Sequence, residues 1–129
     1  MITDPISDML TRLRNAISVR REFVELPSSN VKYAIAKILE REGYLASVEK
    51  TGEGIHTMLK LGLNYANGPR IQSLRRVSKP GRRVYAKADE LKPVMSGMGV
   101  SIVSTPNGLM TNREARARRL GGEVICEIS

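Results

Sequence analysis

The sequence is poor in the side chains on which most small enzymes depend. It has one histidine and one cysteine, so no multi-histidine metal site, intrachain disulfide or thiolate zinc centre can be built from it. Four tyrosines and one phenylalanine are its aromatic residues, too few for a recognition surface of several stacked rings. No apolar run approaches the roughly 18 to 20 residues of a membrane span. The opening MITDPISDML lacks the basic start and apolar core of a secretory signal, so the expected location is the cytoplasm. No P-loop or GxGxxG fingerprint occurs; the GMG triplet precedes a strand-like segment instead of following one.

What the chain has is positive charge, unevenly placed. Its 129 residues, 41% hydrophobic and 26% charged, suit one modest core or two small ones. The formal net charge is +8. Residues 1 to 69 hold nine Lys/Arg against eight Asp/Glu, and residues 70 to 129 hold twelve against five, so the excess is +1 and +7. That asymmetry points to a polyanion partner for the second half, nucleic acid before an anionic membrane surface.

The first half reads as helix, strand, helix, strand, strand. Asp4 at a cap and Pro5 at the first helical position introduce Ile6, Met9, Leu10, Leu13 and Ile17 at spacings of three and four. Phe23 to Leu26 is a short strand ended by Pro27. In PSSNVKYAIAKILEREG, Ser28 or Ser29 caps a helix that Gly43 stops, with Val31, Ala34, Ile35, Ile38 and Leu39 on its buried face. Tyr44 to Val48 leads through a turn into IHTMLKLGLNY, where Ile55, Thr57, Leu59, Leu61, Leu63 and Tyr65 alternate with His56, Lys60 and Asn64. The Gly68-Pro69 break and the change of charge balance at Arg70 place a linker at 67–70, between a domain at 1–66 and a second at 71–129.

The second half reads as mostly strand. A strand before a Lys79-Pro80-Gly81 turn and another through Arg83, Val84 and Tyr85 make a basic hairpin, followed by a short helix near Ala88 to Lys92. GMGVSIVST is a strand turned by Pro106-Asn107-Gly108. Thr111 caps a brief helix, with Glu114 as the capping-box acid and Arg113, Arg116, Arg118 and Arg119 on that helix or its exit. Gly121-Gly122 releases a last strand, Glu123 to Ile128, in which alternation groups Cys126 with Val124 and Ile128 as a buried packing thiol. The fold class expected is α+β, two small α/β domains with the second mostly β.

Arg75, Arg76, Lys79, Arg82, Arg83 and Lys87 would supply phosphate contacts from the hairpin, with Tyr85 a stacking surface in their midst. Ser104 and Thr105 are short donor-acceptors at a strand end beside a glycine, where backbone can approach a ribose hydroxyl or a base edge; ordinary turn and cap duty is the competing reading. His56 reads as a solvated strand residue.

These segments carry a resemblance. DPISDMLTRLRNA, LPSSNVKYAIAKILEREGY, RVSKPGRRVY, GVSIVSTPNGLMTNREAR and GGEVICEI follow one another as in the bacterial form of the eighth protein of the small ribosomal subunit, and the chain resembles that family end to end. The resemblance implies two tightly associated domains, binding to the central domain of 16S rRNA early in 30S assembly, neighbouring small-subunit proteins as partners, and repression of its own operon through messenger RNA. It implies a principal RNA-binding loop of Ser104, Thr105, Asn107 and Gly108, with Tyr85, Gly122 and Glu123 beside it. Lys79, Arg82, Arg83, Arg113 and Arg116 would flank that loop, and Ser28, Ser29, Asn30 and Lys32 would make a weaker contact from the first domain. Pro106 and Asn107 stand where relatives often have a hydroxyl and a basic or polar residue, and Asn112 where aspartate is frequent.

No catalytic residue, metal, cofactor, small-molecule substrate or membrane partner is expected. A DNA-binding or nucleoid-associated protein would suit the charge, but no helix-turn-helix or dimerising heptad is evident. A small enzyme acting on a phosphorylated substrate is opposed by the lack of a base, a metal cluster and a phosphate loop.

Overall fold

The computed structural model describes residues 4–66 and 68–129; residues 1–3 and Asn67, the first residue of the expected linker, lie outside the described residues. The fold is α+β, with three α-helices and two antiparallel sheets among the described residues. The chain divides into two units, one of Pro5–Ile71 and one of Gln72–Ser129 together with Asp4.

In the first unit, α1 (Pro5–Ser18) and α2 (Asn30–Arg41) pack on a sheet of β1 (Phe23–Pro27), β2 (Leu45–Thr51) and β3 (Met58–Leu63) in the order β1-β3-β2. The apolar spacing of α1 buries Met9, Leu10 and Leu13, joined by Ala16. Alternation in β1 and β3 turns Val24, Leu26, Leu59 and Leu61 inward. Each fully buried leucine contributes roughly 1.5–3 kcal/mol relative to exposure. Two expectations fail at element ends. Val31 is 44% exposed on the first turn of α2; Lys32 and, one turn on, Ala36 take inward positions, and Ala34 is half-buried. Ile55 is 95% exposed because the chain forms a 3-10 turn over Gly54–His56 instead of continuing the strand, which also leaves His56 exposed on a turn.

The second unit is built on β8 (Gly122–Ile128), which pairs with β4 (Leu74–Arg76), β5 (Tyr85–Ala86) and β6 (Val100–Thr105). β7 (Gly108–Thr111) extends the sheet beyond β6, and α3 (Asn112–Ala117) follows it. The expected basic hairpin is corrected here. β4 and β5 do not pair with each other; both pair antiparallel with β8 at different positions along it, and residues 77–84 between them form an excursion. The expected helix after Tyr85 is a 3-10 turn, Ala88–Glu90. Leu91, Val103, Met110 and Ala115 form a core cluster, with Ala86, Leu120 and Val124 against it.

The pairing of β6 with β8 shifts between Ile102 and Val103, whose partners are Cys126 and Val124, so Ile125 is the extra residue of a bulge. Strict alternation therefore fails: Cys126 shares a face with Ile128, and Val124 turns to the other. Cys126 is fully buried. Burial pushes its thiol from 9.0 up to about 12, with Arg76 opposing and Glu127 adding to the shift. Arg76 itself pairs with Asp4 at 3.0 Å and donates to the Ile125 carbonyl at 2.7 Å.

A thiol whose folded value exceeds its unfolded value stabilises fully below the unfolded value, and that stability is lost as pH rises toward the folded one. Between pH 8 and pH 10 the protein is expected to lose about 1–1.5 kcal/mol more than a Cys126→Ala variant. Urea midpoints of both proteins at the two pH values measure this; parallel losses would show that the thiol is not shielded.

Candidate nucleic-acid interface

The register of the second sheet decides which expected residues meet. Tyr85 pairs with Glu123, Glu123 with Ser104, and Ser104 with Leu109. Directly paired residues in antiparallel strands point to the same face with Cβ atoms about 5 Å apart, so Tyr85, Glu123 and Ser104 form one cross-strand row. Tyr85 is 70% exposed. Ser104 is half-buried, and its hydroxyl makes no hydrogen bond among the described residues.

Thr105 does a different task from its neighbour. Its Oγ1 donates to the Gly108 carbonyl at 2.8 Å and accepts from the Asn107 N–H at 3.1 Å, locking the β6–β7 hairpin. Pro106, Asn107 and Gly108 are exposed at the tip, and Gly108 has φ 108, open to glycine and costly for other residues. Thr105 shapes the loop, and Ser104 offers the uncommitted hydroxyl.

Gly122 lies at the base of the same loop. A Cβ there would overlap the Ser104 carbonyl oxygen, and one on Gly121 would come within 2.6 Å of the Ala86 carbonyl. The two glycines therefore let the start of β8 run between β5 and β6 at backbone contact distance.

The 77–84 excursion is a basic loop with a built anchor. Lys79 and Arg82 exchange backbone hydrogen bonds at 3.0 and 2.9 Å around Pro80-Gly81. Gly81 has φ 86, and proline followed by a left-handed glycine is the type II turn pattern. Ser78, fully buried, donates to the Glu123 carboxylate and accepts from the Val84 N–H at 3.1 Å. Arg83 reaches the same carboxylate at 3.0 Å. Lys79 and Arg82 are exposed, with no side-chain partner among the described residues.

The arginines of α3 are mostly spoken for. Arg113 donates to the Gly97 and Gly99 carbonyls at 2.8 and 3.2 Å, Arg116 to the Leu91 carbonyl at 3.2 Å, and Arg118 pairs with Glu114 at 3.1 Å. Thr111 caps α3 by accepting from the Glu114 N–H at 3.2 Å. In the other unit, Ser29 caps α2 by accepting from the Lys32 N–H at 3.2 Å. Ser28 is half-buried, Asn30 is exposed, and Lys32 is buried at 8% exposure. No group of three or more His, Cys, Asp or Glu suited to a metal is found among the described residues.

A family model for Ribosomal protein S8 matches residues 4–129. The small ribosomal subunit protein uS8 of Clostridium beijerinckii is 54% identical over 130 residues, covering 99% of this chain and 98% of its own. Its namesakes from Rhodopirellula baltica and Thermoanaerobacter sp. are 53% identical over 133 and 132 residues, covering 100% and 99% of this chain and 100% and 98% of their own.

The chain belongs to the Ribosomal protein S8 family.

Members of the Ribosomal protein S8 family are structural and non-enzymatic, and so is this chain. Two residues important to the geometry were not singled out for it by sequence. Ser78 sits between hydrophobic and basic neighbours with nothing local to mark it as an anchor. Asn112, only 4% exposed, accepts from the Ser101 N–H at 3.2 Å and donates to the Lys92 carbonyl at 3.1 Å. The second bond requires an N–H donor that an ionised aspartate lacks.

Gly122→Ala is expected to destabilise the protein by about 2–3 kcal/mol, because backbone on both sides leaves the new methyl no room. A urea titration checks it. An unchanged midpoint would mean that β8 can move away from Ser104 at no cost.

Proposed function

We propose that this protein binds the central domain of 16S rRNA as a primary binder during 30S assembly, with residues 71–129 as its principal RNA-binding domain. Ser104, Thr105, Asn107 and Gly108 form the recognition loop, and Tyr85, Gly122 and Glu123 lie beside it. Lys79, Arg82 and Arg83 supply phosphate contacts, as do the guanidinium donors of Arg113 and Arg116 that backbone carbonyls do not take. Residues 1–66 form the N-terminal domain and give a weaker contact through Ser28, Ser29, Asn30 and Lys32. The protein works on the cytoplasmic ribosome beside other small-subunit proteins, and it represses its own operon by binding a messenger RNA that imitates the ribosomal site.

The observation that carries this reading is the free Ser104 hydroxyl, in one cross-strand row with exposed Tyr85 on the far side of Glu123 and next to a hairpin tip locked by Thr105. Few aromatics are available, so selectivity must come from shape and from hydrogen bonds to 2′-hydroxyls and base edges of an irregular helix. Exposed Lys79 and Arg82 provide the sequence-independent, salt-sensitive part.

A competition assay at several salt concentrations, with a central-domain rRNA fragment against random RNA of equal length and duplex DNA, tests the proposal. The fragment is expected to stay bound at salt concentrations that release both competitors. Ser104→Ala should weaken the fragment roughly tenfold with an unchanged urea midpoint and leave random RNA unaffected. Lys79→Ala or Arg82→Ala should weaken every RNA and lower the salt slope by about one. Equal, steeply salt-dependent binding of all three nucleic acids by the parent protein would reduce it to a generic polyanion binder.

A further inference from the structure

The three α-helices among the described residues end in the same hydrogen-bond motif. After α1 the Arg20 N–H bonds to the Ile17 carbonyl and the Arg21 N–H to that of Ala16. After α2 Gly43 and Tyr44 bond to Glu40 and Leu39, and after α3 Arg119 and Leu120 bond to Arg116 and Ala115. This closure places one residue in the left-handed region, where glycine is the usual occupant because a Cβ is penalised. Gly43 meets the rule with φ 84, whereas Arg20 and Arg119 take it at φ 53 and 58.

Arg20 has an internal use. Its guanidinium lies 4.8 Å from the centre of the Tyr65 ring, and the Tyr65 hydroxyl donates to the Arg21 carbonyl at 2.7 Å. Arg119 is exposed, with no side-chain hydrogen bond, ion pair or ring contact among the described residues. The other α3 arginines are engaged as described, so Arg119 is the uncommitted cation of that group, held in a conformation that favours another residue.

Its place along the chain gives it a target. Leu120 anchors the closure in the core cluster, Gly121 lies against Ala86 and Gly122 against Ser104. Three residues of chain keep the Arg119 Cα within about 11 Å of Gly122, at the end of the sheet that carries the 104–108 loop. The closure accounts for the backbone φ at Arg119 but favours glycine there, and no contact among the described residues accounts for an arginine side chain at that place. We propose that Arg119 is an RNA-backbone contact, its guanidinium taking a phosphate of the strand that lies over the 104–108 loop; this rests on the RNA-binding reading above. Attraction between a cation and the carbonyl end of α3 is the alternative use of the side chain, and it predicts no change in RNA binding.

Arg119→Gly and Arg119→Asn relieve the backbone while removing the charge, and Arg119→Lys keeps the charge. The expected result is a higher urea midpoint for Arg119→Gly, together with roughly three- to tenfold weaker RNA binding for the glycine and asparagine variants and a salt slope lower by about one. Arg119→Lys should retain most of the affinity, and Lys37→Gln, which removes a cation held by Glu40 at 2.8 Å, should leave the slope unchanged. Glycine and asparagine variants that match the parent in affinity and slope would overturn the Arg119 proposal even while the parent still prefers the rRNA fragment. A parent protein that binds all RNAs alike would overturn the selective reading, and the slopes on random RNA would still decide the phosphate contact. If the parent binds no RNA, both proposals fall.

Discussion

The backbone contact at Gly122 is the constraint on which the second unit depends. β8 pairs with β4, β5 and β6, and at its first residue the Ser104 carbonyl occupies the space a side chain would need. Only glycine lets three strands converge there. One residue further on, the same register aligns Tyr85, Glu123 and Ser104. A row fixed by paired strands holds its side chains more precisely than a loop could. The hairpin tip inherits that order through Thr105, whose two bonds tie the loop to the end of the sheet.

The net charge overstates what this unit can offer a polyanion. Arg76 is buried against Asp4, Arg113 and Arg116 hold carbonyls of residues 91–99, and Arg118 neutralises Glu114. The guanidiniums of Arg113 and Arg116 do structural work in a segment with little regular structure of its own, where backbone carbonyls need donors. Lys79, Arg82 and Arg119 have no such duty. Glu123, an acid in a basic neighbourhood, has its charge taken up by Ser78 and Arg83. It acts as an anchor for the basic loop and presents little free negative charge to a phosphate.

The first unit was legible in sequence wherever punctuation and period agreed. Pro5 at the start of α1, Ser29 capping α2 and Gly43 ending it all stand where their chemistry suggested. Failures fell at ends and partners. The alternation through Ile55 was genuine in the letters, yet Gly54 at φ 61 turned the chain into a 3-10 turn first. The turn at Pro80-Gly81 was readable. That its flanking strands would both join β8 was not, because local pattern carries no information on which strand a segment will pair with. The bulge at Ile125 likewise reversed the face of Val124 with no signal in EVICEIS. For the candidate site, residue types marked Ser104 and Thr105 as a pair, but only the hydrogen bonds of the folded hairpin separate the loop-locking hydroxyl from the free one.

That separation bears on how recognition would work. Pro106 fixes one backbone dihedral, Gly108 sits in the left-handed region, and Thr105 satisfies both the Asn107 N–H and the Gly108 carbonyl. The loop therefore has its shape before any ligand arrives, and binding need not supply the ordering entropy of a flexible segment. Exposed cations act through counterion release, which salt weakens, whereas a preformed loop acts through short contacts, which salt affects little. Because Lys79 and Arg82 lie on the excursion after β4 while Ser104 and Thr105 end β6, the two proposed contributions would reside on different elements. On the proposed reading, substitution would therefore change the salt-sensitive part without moving the selective one.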